Sequence, residues 1–233
     1  MAETIPIHII ARIHTDFATK FGIPRQSGLV PALRGEIVFE PEYRNPDALR
    51  GIQEFSHLWL IWEFSQAVQE HWQPTVRPPR LGGNAAMGVF ATRSPYRPNP
   101  IGLSPVRLES VEERPGLGKV LVVSGADLMD GTPILDIKPY LPYVDCRPEA
   151  TGGFTDRVER KTLMVHCPPD LLEQIPTEKR EALLGVLAQD PRPAYQKDPE
   201  RRYGLSFGGY DVGFTVREGE LTVTDVRKLS PKR

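Results

Sequence analysis

The chain has 233 residues, the length of one large domain or of a domain with a smaller lobe, and it can bury a hydrophobic core. Hydrophobic residues make up 39% and charged residues 25%, and no stretch approaches the roughly 18 apolar residues of a transmembrane helix. The two cysteines, Cys146 and Cys167, follow no metal or redox spacing and are predicted to be reduced thiols. The first 13 residues have no apolar signal core, so we expect a cytoplasmic protein with no membrane contact. The chain has no His-Glu-x-x-His motif, and we expect no metal.

Most of the first 150 residues predict short strands. Proline (24 residues) and glycine (20 residues) are both plentiful, which favours many short strands over long helices. Apolar residues alternate or cluster in runs bounded by turn residues, and this pattern predicts a mostly β domain that closes into a barrel. The predicted strands cover residues 5–13, 36–40, 57–64, 87–92, 104–111, 119–126 and 133–137.

Two elements of this part carry local signals. Asn45 before Pro46 predicts the start of a short helix. The run 57–64 is apolar on both faces, which predicts a fully buried strand with Trp59 and Trp62 in the core on opposite faces. We interpret His57 as a hydrogen-bonded core residue, since no second histidine or cysteine lies at ligand spacing.

From about residue 165 the pattern changes to a smaller α+β lobe. A proline pair at 168–169 opens one helical stretch, and Thr177 is predicted to cap a helix over 178–188. Alternating residues on either side of Glu218-Gly219 predict a hairpin. The predicted fold is therefore mainly β, with a barrel domain over residues 1–164 and an α+β lobe over residues 165–233.

The segment 77–108 concentrates positive charge, although the net charge of the chain is only −1. It contains five arginines, six prolines and no acidic residue. Prolines fix the backbone around Arg93, Arg97 and Asn99, and a fixed guanidinium group suits carboxylates and phosphates. Two interpretations stay open, a ligand-binding loop or a rigid surface loop whose arginines pair with distant acids.

A second polar pattern follows the turn at Asp130-Gly131. Along the next strand Asp136, Lys138 and Tyr140 alternate onto one face. The three groups form either a site that handles a proton or a solvated edge, and the pattern alone does not separate these readings. Familiar signatures of other enzymes are absent, among them the glycine-rich Rossmann fingerprint and the Walker A motif.

Several long motifs together resemble one family. The chain is similar to the bacterial TsaA/TrmO family, the tRNA (N6-threonylcarbamoyladenosine-37) N6-methyltransferases, over nearly its whole length, in the longer form with a C-terminal lobe. The motifs are PRQSGLV (24–30), GIQEFSHLWLIW (51–62), VRPPRLGGN (76–84), GVFATRSPYRPNPIGLS (88–104), DLMDGTPILDIKPYLPY (127–143) and AQDPRPAY (188–195).

The resemblance implies a small β-barrel methyltransferase that binds S-adenosyl-L-methionine without a Rossmann sheet and forms a homodimer. Its substrate would be tRNA carrying threonylcarbamoyladenosine in the anticodon loop. Carried over by motif, the cofactor contacts would be Gln26, Ser27, Gly28, Leu29, Ser65, Gln66, Arg93, Leu103, Ser124, Gly125, Ala126 and Asp127.

The substrate nitrogen belongs to a ureido group and must lose a proton when it is methylated, so a general base would help. We take Asp136 and Tyr140 as candidates, with Lys138 stabilising charge on the ureido oxygen. Arg97 or Arg192 would bind the threonyl carboxylate. Splayed anticodon bases would stack on aromatic side chains. The substrate and tRNA candidates are Arg97, Asn99, Tyr143, Arg192 and Tyr195, with Tyr96 as a further stacking candidate.

Two rival functions fit the same residues. A non-catalytic RNA- or nucleotide-binding barrel would use the arginine-rich segment 77–108, here called the arginine loop, and bind tRNA without methyl transfer. A methyltransferase of the same fold acting on a small molecule or a protein would bind the cofactor but show no salt-sensitive affinity for tRNA.

Overall fold

The computed structural model describes residues 3–78, 85–157, 161–193 and 198–230. It confirms the predicted fold class, a closed β-barrel followed by a smaller lobe of strands and helices. The strands are β1 (Ala11–Thr15), β2 (Arg34–Phe39), β3 (His57–Glu63), β4 (Thr75–Val76), β5 (Met87–Gly88), β6 (Ile101–Arg114), β7 (Gly118–Ser124), β8 (Thr132–Pro139), β9 (Met164–His166), β10 (Tyr203–Phe207), β11 (Tyr210–Arg217) and β12 (Glu220–Lys228). The α-helices are α1 (Pro142–Asp145), α2 (Pro169–Leu172) and α3 (Thr177–Ala188).

Six antiparallel strands close the barrel in the order β1-β2-β7-β6-β3-β8. Strand β3 pairs with β6 on one side and with β8 on the other, and a bulge between Ile61 and Trp62 shifts the register toward β8. The core lies inside the barrel, where Leu58, Leu60 and Leu121 are fully buried. Alternating residues of each strand point inward or outward, as the period of two requires.

The prediction that residues 57–64 are buried on both faces is wrong. The residues of β3 alternate between buried and half-buried, because the barrel wall is one layer thick and only one face lines the core. Trp62 points into the barrel and Trp59 lies on the outer face, so the two tryptophans do take opposite faces, but only Trp62 is a core residue.

Three other boundaries differ from the sequence predictions. Residues 5–10 precede β1 without forming a strand, and the predicted strand over 87–92 is a two-residue β5 followed by a 3-10 helix at Val89–Ala91. Thr177 is the first residue of α3 and caps nothing, since Pro176 occupies the cap position and makes no side-chain hydrogen bond there. The Asn45 cap is confirmed: its side chain accepts from the backbone amide of Asp47 at 3.0 Å, on a short 3-10 helix.

The C-terminal lobe is a four-stranded sheet in the order β10-β11-β12-β9, with α3 packed near β9. The predicted hairpin is confirmed as β11 and β12, joined at Glu218 and Gly219, both of which have positive φ. No helix in the part of the chain that the structure describes is long and apolar enough to cross a membrane.

The lobe shares its core with the segment 16–33, which connects β1 to β2. Phe17, Val30 and Leu33 are buried in the same cluster as the apolar residues of α3 and of β10–β12. The Lys179 ammonium of α3 also donates to the Asp16 carboxylate. The segment 16–33 is therefore fixed between barrel and lobe, and it carries Gln26 to Leu29.

Candidate functional site

Two glycine-bearing segments meet at one end of the barrel. The amide of Gly28 donates to the carbonyl of Gly125 at 2.8 Å, and the amide of Gly125 donates to the carbonyl of Leu33, also at 2.8 Å. Both glycines have positive φ, 76° and 75°, a conformation that disfavours side chains. The structure thus brings the segment 26–29 against the segment 124–127, two of the stretches that the sequence nominates for cofactor contact.

Arg93 joins the proline-rich loop to this place. One of its guanidinium nitrogens donates to the side-chain oxygen of Gln26. Burial raises the pKa of Asp127, and the charge of Arg93 acts against that rise. Arg93 of the arginine loop therefore faces the two glycine segments.

Asp127 is the acidic group of the site. The Ser104 hydroxyl donates to its Oδ1 at 2.6 Å. Burial raises the pKa of Asp127 above its ordinary value, and the hydrogen bond from Ser104, the charge of Arg93 and the backbone amide of Ser27 act in the opposite direction. A carboxylate held in this way accepts hydrogen bonds from a ligand hydroxyl or ammonium group.

The cofactor candidates outside these two glycine segments and Arg93 are exposed: Ser65, Gln66 and Leu103. Ser65 and Gln66 are exposed just beyond β3, where the amide of Phe64 donates to the carbonyl of Pro100 at 2.7 Å. Leu103 lies on the outer face and is 51% exposed. The hydroxyl of Ser124 is engaged, since it donates to Glu109.

Asp136, Lys138 and Tyr140 share the outer face of the barrel, as their alternation predicts. The Lys138 ammonium lies 2.9 Å from Asp136 Oδ2, and both side chains are about half exposed. The Tyr140 ring contacts those of Trp59 and His57, with centroid distances of 5.5 and 6.1 Å. These side chains form a polar and aromatic patch, in which the Asp136 carboxylate is 45% exposed and Tyr140 is half-buried.

Strand register relates this patch to the cofactor candidates. Ile61 of β3 lies opposite Asp136 on one side and opposite Leu103 on the other. The patch and Leu103 thus share the outer face with one strand between them, two strand spacings or roughly 10 Å. Ser104, the neighbour of Leu103, points inward to Asp127. Strand β6 therefore contributes to both faces.

His57 is hydrogen-bonded, as interpreted from the sequence, but it is half-buried rather than in the core. Its Nδ1 lies 2.9 Å from the Ser56 hydroxyl. Among the described residues, no group of three or more histidine, cysteine, aspartate or glutamate side chains is placed to hold a metal ion.

The substrate candidates do not form one cluster. Arg97 donates to the carbonyl of Thr92 at 3.3 Å and so braces its own loop, while Asn99 and Tyr143 are exposed. The Arg192 guanidinium makes a bidentate pair with Asp190 at 2.8 and 2.9 Å, in a cleft lined also by residues 20–25. Tyr195 and residues 79–84 of the VRPPRLGGN motif lie outside the described residues.

Sequence reasoning missed Ser104 and Trp62. The indole nitrogen of Trp62 donates to the Ser104 hydroxyl at 3.0 Å, behind Asp127. A signal was present, because Ser104 is a polar residue at an inward position of an apolar strand, and such a group needs a partner. Only the pairing of β3 with β6 identifies that partner.

A closed antiparallel barrel with its polar site at one end defines a class of protein distinct from the doubly wound Rossmann enzymes. Among solved structures, a crystal structure of TrmO from Pseudomonas aeruginosa superposes with a TM-score of 0.79 at 36% identity, covering 97% of this chain and 99% of that one. The barrel and the lobe therefore occur together in that protein.

The family models divide the chain between the same two parts. The model of the tRNA-methyltransferase O N-terminal domain matches residues 12–146, and that of the TrmO C-terminal domain matches residues 160–229. A tRNA (adenine(37)-N6)-methyltransferase of Escherichia coli is 42% identical over 222 residues, which cover 92% of this chain and 94% of the relative. A putative S-adenosylmethionine-dependent methyltransferase, RcsF of Pseudomonas aeruginosa, is 46% identical over 87% of this chain and 89% of its own length. The chain belongs to the tRNA-methyltransferase O family.

Proposed function

We propose that this protein uses S-adenosyl-L-methionine to methylate N6 of threonylcarbamoyladenosine at position 37, in the anticodon loop of tRNA. The observation that carries the proposal is the convergence of the segment 26–29, Arg93 and Asp127 on one end of the barrel. The names of the Escherichia coli and Pseudomonas aeruginosa relatives supply the reaction, the tRNA position and the cofactor.

The residues at this end of the barrel suit the cofactor. Its amino acid part has a carboxylate and an ammonium group and its ribose has two hydroxyls, so it needs both a cation and an acceptor. Arg93 is an exposed guanidinium, and Asp127 is a carboxylate with a fixed orientation. A Cβ built on Gly28 meets nothing within 4 Å, so a ligand has room to approach the backbone there.

Bound S-adenosyl-L-methionine supplies an electrophilic methyl group, and the protein's task is to align the nucleophile and to remove a proton. Asp136 is the first candidate base because its carboxylate is half exposed on the outer face. The neighbouring Lys138, 2.9 Å from this carboxylate, stabilises negative charge on the ureido oxygen of the substrate. Tyr140 positions the same group through its phenol, and its ring is held by Trp59.

Recognition of the modified base requires a cation for the threonyl carboxylate. Arg192 already has a carboxylate partner within its own lobe, so a substrate would have to compete with Asp190. Within the part of the chain that the structure describes, Arg97 makes one hydrogen bond, to a carbonyl, and keeps donors available. We therefore favour Arg97 for the threonyl carboxylate and keep Asn99, Tyr143, Arg192 and Tyr195 as candidates for contacts with the rest of the tRNA.

We also infer a homodimer and a division of labour between the two parts of the chain. The homodimer is what the resemblance to the family implies. Residues 1–164 would bind the cofactor and carry the chemistry, and residues 165–233 would form the accessory lobe. The cytoplasmic location stays a prediction.

The test incubates the purified protein with labelled S-adenosyl-L-methionine and tRNA from cells that lack this gene, followed by mass analysis of the nucleosides. The expected product is threonylcarbamoyladenosine with one added methyl group. Transcribed tRNA with plain adenosine at position 37 is the matched control. Equal methylation of both tRNAs would show that the enzyme does not need a cation for the threonyl carboxylate. Cofactor binding without methylation of any tRNA would favour a small-molecule or protein substrate. A protein that binds tRNA but does not bind the cofactor would favour the non-catalytic RNA-binding barrel.

A further inference from the structure

A chain of hydrogen bonds runs from the barrel interior to the site. Trp62 Nε1 donates to Ser104 Oγ at 3.0 Å, and Ser104 Oγ donates to Asp127 Oδ1 at 2.6 Å. Trp62 is 8% exposed and Ser104 is 1% exposed, so bulk water does not compete for these bonds. Ser104 is one of only three polar residues among the buried residues that the structure describes.

The direction of the chain follows from the chemistry of its members. An indole nitrogen only donates, so the Ser104 oxygen must be the acceptor of the first bond. The hydroxyl has a single hydrogen, and the Asp127 carboxylate accepts it. Trp62 thereby fixes the rotor of Ser104, and Ser104 fixes one oxygen of Asp127. Because each bond polarises the next, the arrangement holds the carboxylate more firmly than either bond alone.

The start of the chain is itself immobile. Trp62 lies opposite Gly102 in the pairing of β3 with β6, and a Cβ on Gly102 would come within 2.2 Å of the indole ring. The ring also packs against Phe64, with centroids 4.2 Å apart. The space for the indole therefore depends on a glycine at position 102, and these contacts restrict its rotation away from Ser104.

We propose that Ser104 and Trp62 are positioning residues for the cofactor, which hold the Asp127 carboxylate in the orientation that receives a hydroxyl or ammonium group. The inference rests on the proposed function, since it assumes that the cofactor binds beside Asp127. It adds two residues, both inside the barrel wall, to a site whose contacts otherwise come from loops and strand ends.

Cofactor binding should depend on pH in a way that reports this chain. The groups that act on Asp127 are the Ser104 hydroxyl, its own backbone amide, the guanidinium of Arg93 and the Ser27 amide, and each favours the ionised carboxylate. The Ser104 hydrogen bond opposes the effect of burial on the pKa of Asp127, so removal of this donor raises that pKa further. If the carboxylate form binds the cofactor, affinity is lost as pH falls through that pKa, and the loss begins at higher pH without Ser104.

The experiment measures the Kd of S-adenosyl-L-methionine by calorimetry, without tRNA, between pH 5 and pH 8. It compares the wild type with Ser104→Ala, Trp62→Phe and Ser110→Ala. Ser110 is the matched control because it also lies on β6 and donates to a carboxylate, that of Glu112, at 2.7 Å. Thermal unfolding of each variant is recorded in parallel, so that loss of folding is separated from loss of affinity.

We expect Ser104→Ala to raise the Kd about tenfold at pH 7, the scale of one hydrogen bond to a charged group, and to move the acidic loss of binding upward. Trp62→Phe should have the same direction and about a third of the effect, and Ser110→Ala should match the wild type. The inference is overturned if Ser104→Ala folds and keeps both the Kd and the pH midpoint of the wild type. If Ser104→Ala does not fold, Trp62→Phe decides by the same two readouts. A wild type that binds no cofactor would overturn the proposed function as well, so the two failures are distinguishable.

Discussion

Asp127 is the residue at which stability and binding oppose each other. Burial raises the pKa of its carboxyl, which means that the folded protein holds the proton more tightly than the unfolded chain does. The contribution to stability is therefore fullest below the unfolded pKa and is lost as pH rises through the folded pKa. Above the folded pKa the protein carries a desolvated charge that Ser104 and Arg93 only partly offset.

Replacement of Asp127 by asparagine should accordingly stabilise the protein above the folded pKa while it weakens cofactor binding. The amide keeps an oxygen that accepts from Ser104 and removes the buried charge. We expect a higher Tm than the wild type at pH 8, by about 2–4 °C for each kcal/mol recovered, and a difference that shrinks toward pH 4. Calorimetric melts at both pH values test this. A Tm at pH 8 equal to or below that of the wild type would show that the charge is well compensated.

The outer-face carboxylate and phenol make a separate prediction about turnover. Asp136→Asn and Tyr140→Phe should each lower kcat, by about 10²–10⁴-fold for the residue that acts as base, and leave the Kd of the cofactor unchanged. Glu112→Gln is the control, since Glu112 pairs with Arg114 two residues further along β6, much as Asp136 pairs with Lys138 on β8. Single-turnover kinetics with modified tRNA measure the effect. Full turnover in both Asp136→Asn and Tyr140→Phe would show that neither side chain takes part in the methyl transfer.

At the scale of the element, the sequence predicted what depends on periodicity and missed what depends on pairing. The alternation of Asp136, Lys138 and Tyr140 onto one face was readable, because successive side chains of a strand take opposite faces. The bulge beside Trp62 was not readable, since it arises from the register between β3 and β8. The half-exposed outer face of β3 was missed for a related reason, because an apolar run does not reveal whether a second layer covers it.

The contact between α3 and Val30, next to the segment 26–29, is another pairing that no local sequence pattern predicts. Gly185 is a glycine within a helix, where alanine would favour the helical state by about 1 kcal/mol. A Cβ on Gly185 would nevertheless lie 2.7 Å from Val30 Cγ1, and Val30 follows directly after the segment 26–29. The glycine therefore allows the helix to approach that segment closely.

Gly185→Ala should destabilise the protein despite its better helix propensity, by about 1–3 kcal/mol, because the buried contact with Val30 leaves no room. It should also weaken cofactor binding, since the displaced segment carries Gln26 to Leu29. Val30→Ala in the same chain should relieve the clash, so that the double variant is more stable than the sum of the two single changes predicts. Urea unfolding of the four proteins forms the cycle. If the changes in the free energy of unfolding are strictly additive, the destabilisation by Gly185→Ala does not come from a clash with Val30.

For the whole molecule, the shared core implies that barrel and lobe unfold together. Phe17, Val30 and Leu33 belong to the chain between two barrel strands but are buried among residues of the lobe. The Asp16 and Lys179 pair adds a polar contact across the same boundary. A barrel without its lobe would expose these apolar side chains and free the segment 16–33, which carries Gln26 to Leu29. The lobe thus supports the proposed cofactor site.

The tryptophans make this coupling measurable. All three, Trp59, Trp62 and Trp72, lie in the barrel part of the chain, so their fluorescence follows the barrel alone. Leu183→Ala removes a side chain that is 1% exposed in α3, and a substitution of this kind costs about 2–5 kcal/mol. If the two parts unfold as one unit, this change in the lobe should lower the urea midpoint of tryptophan fluorescence as much as that of circular dichroism. A fluorescence midpoint that stays at the wild-type value, with an earlier second transition in circular dichroism, would mean that the lobe opens while the barrel remains folded.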